Sequence, residues 1–248
     1  MTRARDDAFI RSVTLLREGV PDFAAFPFRL PAVRGLRSID LDPRVTIFAG
    51  ENGTGKSTLL EAIAAAAGMN PEGGGRNLRF TNRASESRLW EHLRLVRGAR
   101  RPRTDFFLRA ESFFNVATAI EELPDRVASL APYGGVSLHE QSHGESFIAL
   151  ALNRFGPDGL YLLDEPEAAL SLQSCFALLR RMHDLVSEGS QFILATHSPV
   201  LMAYPGARIL WFDEDGIAPV AYDDVEHVRL MQVFMADPEH FVARLLAE

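Results

Sequence analysis

Val45-Thr46-Ile47-Phe48-Ala49-Gly50-Glu51-Asn52-Gly53-Thr54-Gly55-Lys56-Ser57-Thr58 decides how this chain is read. Five residues without a charge predict a buried strand, Val45 to Ala49. Three glycines then interrupt it, and Leu59, Leu60, Ile63 and Ala67 recur at the spacing of one helix face. Strand, glycine loop and helix with the pattern G-x-x-x-x-G-K-[ST] form a P-loop. The pattern has a physical reason. Gly50, Gly53 and Gly55 let backbone N–H groups close around phosphate oxygens. The helix that follows points its unpaired donors and partial positive charge at the same anion. Lys56 can reach the β- and γ-phosphates, and the Ser57 hydroxyl can ligate Mg²⁺. The ATP-binding candidates are therefore Gly50, Glu51, Asn52, Gly53, Thr54, Gly55, Lys56, Ser57 and Thr58.

A second stretch completes this chemistry. Leu160-Tyr161-Leu162-Leu163-Asp164-Glu165-Pro166-Glu167 predicts a buried strand that delivers carboxylates at its C-terminal edge, the edge where open α/β sheets bind ligands. Asp164 fits an Mg²⁺ ligand. Glu165, one residue on, can polarise a water in line with the γ-phosphate. The next apolar strand, Gln191 to Ala195, ends at Thr196-His197-Ser198. That puts His197 on the same sheet edge, in reach of a γ-phosphate. Lys56, Glu165 and His197 are the catalytic candidates. The bland alternatives are a glycine turn, a solvated acidic turn and a structural histidine, and each leaves the other two motifs unexplained.

Composition bounds the rest. A chain of 248 residues that is 47% hydrophobic can bury a large core. Its longest apolar runs fall short of a membrane span, and Met1 to Arg11 has no apolar segment of a leader, so a cytoplasmic protein is expected. The one cysteine, Cys175, allows no intrachain disulfide and reads as core. Net charge is −7, against a generally basic surface. Between Arg76 and Arg109, however, ten arginines face three acids. A solvated arginine-rich face or a nucleic-acid contact both fit. Lys56 is the chain's single lysine, and the motif places it against phosphate.

Taken in order, residues 9–49 predict short strands at Phe9 to Leu16, Phe26 to Leu30, Ile39 to Leu41 and Val45 to Ala49, punctuated by prolines, as an antiparallel β-lobe. Phe9, Phe26 and Phe28 read as core, with adenine stacking as the alternative. Leu89, Trp90, Leu93 and Val96 have helical spacing, which would put Arg88, Arg94 and Arg97 outside. Phe106 to Leu108 predicts a strand, Phe114 to Leu123 a helix, and Phe147 the start of another. Ser171 to Leu185 is an amphipathic helix. Arg208 to Asp213 and Ile217 to Val220 form a hairpin, and helices at Val225 to Met235 and Phe241 to Leu246 close the chain.

The motif order resembles that of an ATP-binding cassette (ABC) ATPase. The P-loop, Ser142-His143-Gly144-Glu145, Leu163-Asp164-Glu165-Pro166, Ala169-Leu170-Ser171 and Thr196-His197-Ser198 are similar to Walker A, signature, Walker B, D-loop and H-loop. Small stand-alone ATPases of this class, related in head design to SMC and RecF proteins, are the nearest likeness. Phe106 to Asn115 and Leu138 to Phe147 look characteristic of that group. The resemblance implies an α/β fold of the P-loop ABC type: a mostly parallel core sheet flanked by helices, plus the N-terminal antiparallel lobe. One domain would comprise the lobe at 1–44, a P-loop core at 45–110 with the arginine-rich insertion at 76–109, and a signature region at 112–153. A second half of the core at 159–221 and C-terminal helices at 222–248 would complete it. It further implies ATP and Mg²⁺ as cofactors, with Ser57 and Asp164 on the metal and Glu111 a further candidate. An ATP-dependent homodimer would set Ser142, His143, Gly144 and Glu145 against the partner's γ-phosphate. The chain departs from the family pattern at His143, at Ser171 where an aspartate is usual, and after Phe106–Leu108, where no glutamine follows. The expected function is a nucleotide-driven dimerisation switch for an unidentified protein partner. A transporter's ATP-binding subunit, itself not inserted in the membrane, and a nucleic-acid clamp are the alternatives.

Overall fold

The computed structural model describes residues 7–76, 87–111 and 143–247 and, in between, 113, 117, 118 and 121, with 143 described by its backbone alone. Two sheets carry the chain. Strands β1 (Ile10–Leu15), β2 (Ser38–Asp40) and β4 (Leu93–Arg97) form an antiparallel sheet in the order β2-β1-β4. The larger sheet joins β3 (Val45–Gly50), β5 (Thr104–Arg109), β6 (Gly159–Asp164), β7 (Gln191–Ala195), β8 (Arg208–Asp213) and β9 (Gly216–Val220) in the order β5-β6-β7-β3-β8-β9. Every neighbouring pair in it is parallel except the β8–β9 hairpin. Its central strands are buried on both faces, as their unbroken apolar runs require.

Alternation along each strand splits the core between the two faces. Val45, Ile47 and Ala49 pack with Tyr161, Leu163, Phe192 and Leu194 on one side. There they meet α3 (His143–Asn153) and the amphipathic α4 (Leu172–Ser187), whose Cys175, Leu178, Met182 and Leu185 point inward. Phe48, Leu162 and Ile193 face the other way, onto α2 (Lys56–Ala67) and the antiparallel lobe. One polar side chain stitches lobe to sheet. Gln191, fully buried, accepts from the Phe9 and Ile10 N–H groups at 2.9 and 3.0 Å and donates to the Ile10 and Asp42 carbonyls at 2.8 and 2.9 Å. All of its hydrogen-bonding groups are used, which is what makes a polar residue tolerable there.

Two expectations are corrected. Residues 89–96 are not a helix: a short 3₁₀ turn over Leu89–His92 feeds β4. Leu93 and Leu95 alternate as well as they fit a helix, and pairing of Val13 with Leu95 and of Leu15 with Leu93 decides for the strand. Trp90 and Val96 stay exposed, so no helical face was there to bury. Nor is Phe26 to Leu30 a strand. Pro27 offers no N–H for a ladder, and Pro31 opens the short α1 (Pro31–Gly35) instead. Phe9 and Phe28 are core, at 2% and 5% exposure, whereas Phe26 is 49% exposed. The helix expected over Phe114 to Leu123 falls largely outside the described residues. The hairpin and the closing helices α6 (Glu226–Ala236) and α7 (Pro238–Leu245) are as expected. α5 (Pro199–Met202) is a single short turn after β7.

Candidate active site

Parallel register brings the motifs to one edge. β3 ends at Gly50, β6 at Asp164, β5 at Arg109 and β7 at Ala195, and Arg109 lies opposite Asp164, which lies opposite Ala195. Gly50 has φ 137°, and a Cβ there would sit 2.0 Å from the Phe212 carbonyl oxygen, so the loop can leave the sheet only with glycine. Gly55 caps α2 at φ 107°, turning the helix's first N–H groups back toward the loop. Thr54 closes the turn through its hydroxyl, which donates to the Glu51 carbonyl at 2.8 Å.

Lys56 follows at once, only 5% exposed. Its ammonium donates to the Gly50 and Glu51 carbonyls at 2.9 and 2.6 Å, which holds a positive charge inside the loop. Burial pulls its pKa down. The carboxylates of Glu165, Asp164, Glu167 and Glu51 oppose that shift.

Asp164 is the most deeply buried acid of the edge, at 5% exposure. Loss of hydration pushes its pKa up to about 6, held back by the Ser57 hydroxyl and by Arg109. Its Oδ1 is buried without a hydrogen bond. A hard oxygen donor left unpaired beside the Ser57 hydroxyl fits a divalent cation that prefers oxygen ligands. Among the described residues no group of three or more His, Cys, Asp or Glu can hold a metal. Ser57 and Asp164 would therefore need phosphate oxygens and water to complete the shell, the usual habit of Mg²⁺.

Glu165 has φ 47°, a left-handed conformation rare outside glycine and asparagine and common at functional turns. The twist lifts its side chain out of the core to 44% exposure, where its Oε1 lies 3.9 Å from His197 Nε2. Burial, Lys56 and His227 lower the His197 pKa, with Glu165 opposing, which favours the neutral imidazole. Its Nε2 has no hydrogen bond. A cavity of about 560 Å³ opens here, lined by Ser57, Arg109, Ala110, Glu111, Asp164 and Glu165 with Ala168 and Ala169 behind.

Three residues of the site were not foreseen. Glu167 accepts from the His197 and Ser198 N–H groups at 2.5 and 3.2 Å and so fixes the loop that presents the histidine. His227, in the first turn of α6, packs its ring 5.5 Å from that of His197 and 5.7 Å from Trp211. Arg109 reaches Glu61, Asp164 and Glu111 at 3.0, 3.3 and 3.4 Å. The acidic Glu165-Pro166-Glu167 run hinted at Glu167. Nothing in the spacing hinted at the other two, which meet the site through tertiary contacts. Glu111 is exposed and touches Arg109 rather than Asp164.

The signature residues divide. Ser142 lies outside the described residues. His143, Gly144 and Glu145 open α3, with Glu145 exposed, and a Cβ on Gly144 would come within 3.0 Å of the Ala169 carbonyl oxygen. α3 thus starts against Ala169. Ser171 caps α4 by accepting from the Ser174 N–H. Most of the described arginines between Arg76 and Arg109 stay exposed, and several of them are paired. Arg76 pairs with Asp105, Arg100 and Arg103 with Asp158, Arg97 donates to the Ala66 carbonyl, and Arg109 belongs to the site. Arg88, Arg94 and Arg101 are exposed.

Residues 23–97 match the family described as "AAA domain", and residues 133–203 the one described as "AAA domain, putative AbiEii toxin, Type IV TA system". A stretch of 204 residues, 70% of this chain, is 25% identical to the ABC multidrug transporter I of Aspergillus fumigatus, and spans only 13% of that protein's length. Among solved structures, the SMC head domain from Thermotoga maritima is similar at 17% identity and a TM-score of 0.41, over 74% of this chain and 93% of that one. The ATP-binding cassette MJ0796, solved as a post-hydrolysis dimer bound to ADP and Pi, is similar at 19% identity and a TM-score of 0.43, over 76% and 90%. The two family matches, both to AAA domains, cover the glycine loop and the segment from Asp164 to His197, the parts that meet at the sheet edge.

Proposed function

We propose that this ATPase binds Mg²⁺·ATP at the β3–α2 loop, hydrolyses it, and uses the cycle to join and separate two copies of itself. One observation carries the reading. Ser57, Asp164 and Glu165 line a single cavity at the sheet edge, with Lys56 buried in the adjoining loop and His197 3.9 Å from Glu165.

Each residue has a task that its surroundings permit. The loop N–H groups and the N-terminus of α2 bind the phosphates. Lys56 exchanges the Gly50 and Glu51 carbonyls for β- and γ-phosphate oxygens. Ser57 and Asp164 would hold Mg²⁺, which would supply neutralisation of phosphate charge. Glu165, projected from the core by its left-handed backbone, accepts a proton from the attacking water. His197 donates a hydrogen bond to the γ-phosphate, and Glu167 keeps it in place. In the dimer, Ser142 and Gly144 of a second copy close on that phosphate from the other side.

A partner reads the change through α6. His227 ties that helix to His197, while Leu230, Val233 and Met235 of α6 are 55, 61 and 66% exposed. An apolar surface joined to the γ-phosphate loop suits a protein partner. No helix among the described residues is long and apolar enough to cross a membrane.

Phosphate release from purified protein with ATP tests the chemistry. Lys56→Ala is expected to lose most turnover through weakened ATP binding. Glu165→Gln is expected to bind ATP normally and turn over about 100-fold or more slowly, the scale of removing a general base. Normal turnover in Lys56→Ala would overturn the site.

A further inference from the structure

Arg109 is the last residue of β5, and its contacts tie the metal site together. The β5–β6 register sets it beside Asp164, with Nε 3.3 Å from Oδ2. Its Nη1 donates to Glu61 Oε2 at 3.0 Å. Glu61 is one helical turn beyond Ser57 on α2, so the guanidinium links that helix to both strand ends. Arg109 and Glu61 are 21% and 18% exposed, and Asp164 only 6% by side chain. A guanidinium is always charged and has a fixed fork of donors. The acid meant for a metal therefore already has a cation.

Two cations beside one buried carboxylate repel each other at short range and low local dielectric. A divalent ion arriving alone would have to displace Arg109 or share Asp164 with it. A nucleotide changes the balance, because its phosphates bring negative charge into the same cavity of about 560 Å³, which Arg109 also lines.

We infer that Arg109 is the resident counter-cation of Asp164 and makes divalent-metal binding conditional on nucleotide. The inference rests on the assignment of Ser57 and Asp164 as the metal site, and deepens it into an order of assembly. Free metal is excluded, and the site is completed only when phosphates and metal arrive together. Arg109 is here a positioning residue that acts through the carboxylate.

Mn²⁺ serves as the probe, followed by electron paramagnetic resonance on the purified protein with and without ADP. Wild type is expected to bind Mn²⁺ weakly alone and tightly with ADP. Arg109→Gln is expected to tighten nucleotide-free Mn²⁺ binding about tenfold or more, the scale of removing one adjacent like charge. Its effect with ADP is expected to be smaller. Arg109→Lys keeps the charge and is expected to restore weak binding. The paired change Arg109→Gln with Glu61→Gln removes both members of that ion pair, so it serves if the single variant does not fold, and the same tightening is expected. Equal nucleotide-free Mn²⁺ affinity in wild type and these glutamine variants would overturn the role of Arg109. Asp164→Asn separates the two levels of the claim. It is expected to abolish the Mn²⁺·ADP signal in any background. An Mn²⁺·ADP signal unchanged by Asp164→Asn would overturn the metal site itself, and the role of Arg109 with it.

Discussion

Asp164 stores an electrostatic strain that can be measured in the free protein. Its folded pKa is raised from 3.8 to about 6 by burial. A carboxylate with a raised folded-state pKa favours folding while both states hold the proton, below pH 3.8. That contribution is lost as pH rises through about 6. Above pH 6 the ionised group costs up to about 3 kcal/mol, taking 1.36 kcal/mol per pKa unit. Asp164→Asn stays neutral, so without nucleotide it should unfold at higher denaturant than wild type at pH 8, and the gap should close toward pH 4. Urea unfolding at the two pH values checks this. A variant less stable than wild type at pH 8 would contradict it. The residue scale is also where the sequence was most informative. Lys56, Ser57, Asp164, Glu165 and His197 meet at one sheet edge, as their short motifs led one to expect. His227, Glu61 and Arg109 act through contacts between distant elements, so no local pattern marks them, and only the acidic run after β6 hinted at Glu167.

Elements were legible where one force dominated. β3, β6 and β7 are buried on both faces, and their continuous apolar runs allow few other readings. α4 shows its amphipathic period openly, with Cys175, Leu178, Met182 and Leu185 on the buried face. The reading failed where two periods competed, as over Leu89 to Val96. There a partner strand, β1, settled the matter from 80 residues upstream. Gln191 shows the same dependence on distant partners. It opens a buried strand as a polar residue, and it holds the lobe to the sheet by four hydrogen bonds. Gln191→Leu would keep the volume and strand the Phe9 and Ile10 N–H groups. The expected loss is about 3 kcal/mol, two buried donors at roughly 1–3 kcal/mol each, with little change elsewhere. Chemical denaturation measures it. A stability within about 0.5 kcal/mol of wild type, the range of an ordinary surface change, would show that lobe and sheet need no such link.

At the scale of the whole molecule, the proposed reaction centre is shared between two copies of the chain. Lys56, Ser57, Asp164, Glu165 and His197 converge on one edge. α3 begins behind that edge, with Gly144 close to the carbonyl of Ala169, a residue that also lines the cavity. A second copy packed head to tail would bring its own α3 start to the phosphates. The most direct test of this account uses Glu165→Gln, which removes the proposed base and leaves the binding groups in place. Dimer formation that depends on bound ATP shifts with ligand and protein concentration by mass action. Static light scattering across protein concentrations, with Mg²⁺·ATP, Mg²⁺·ADP or neither, reads it. The expected result is a doubling of mass with ATP alone, abolished by adding Ser142→Arg, which puts bulk and charge on the signature loop. A monomer at every concentration, with ATP demonstrably bound, would contradict the nucleotide-driven dimer.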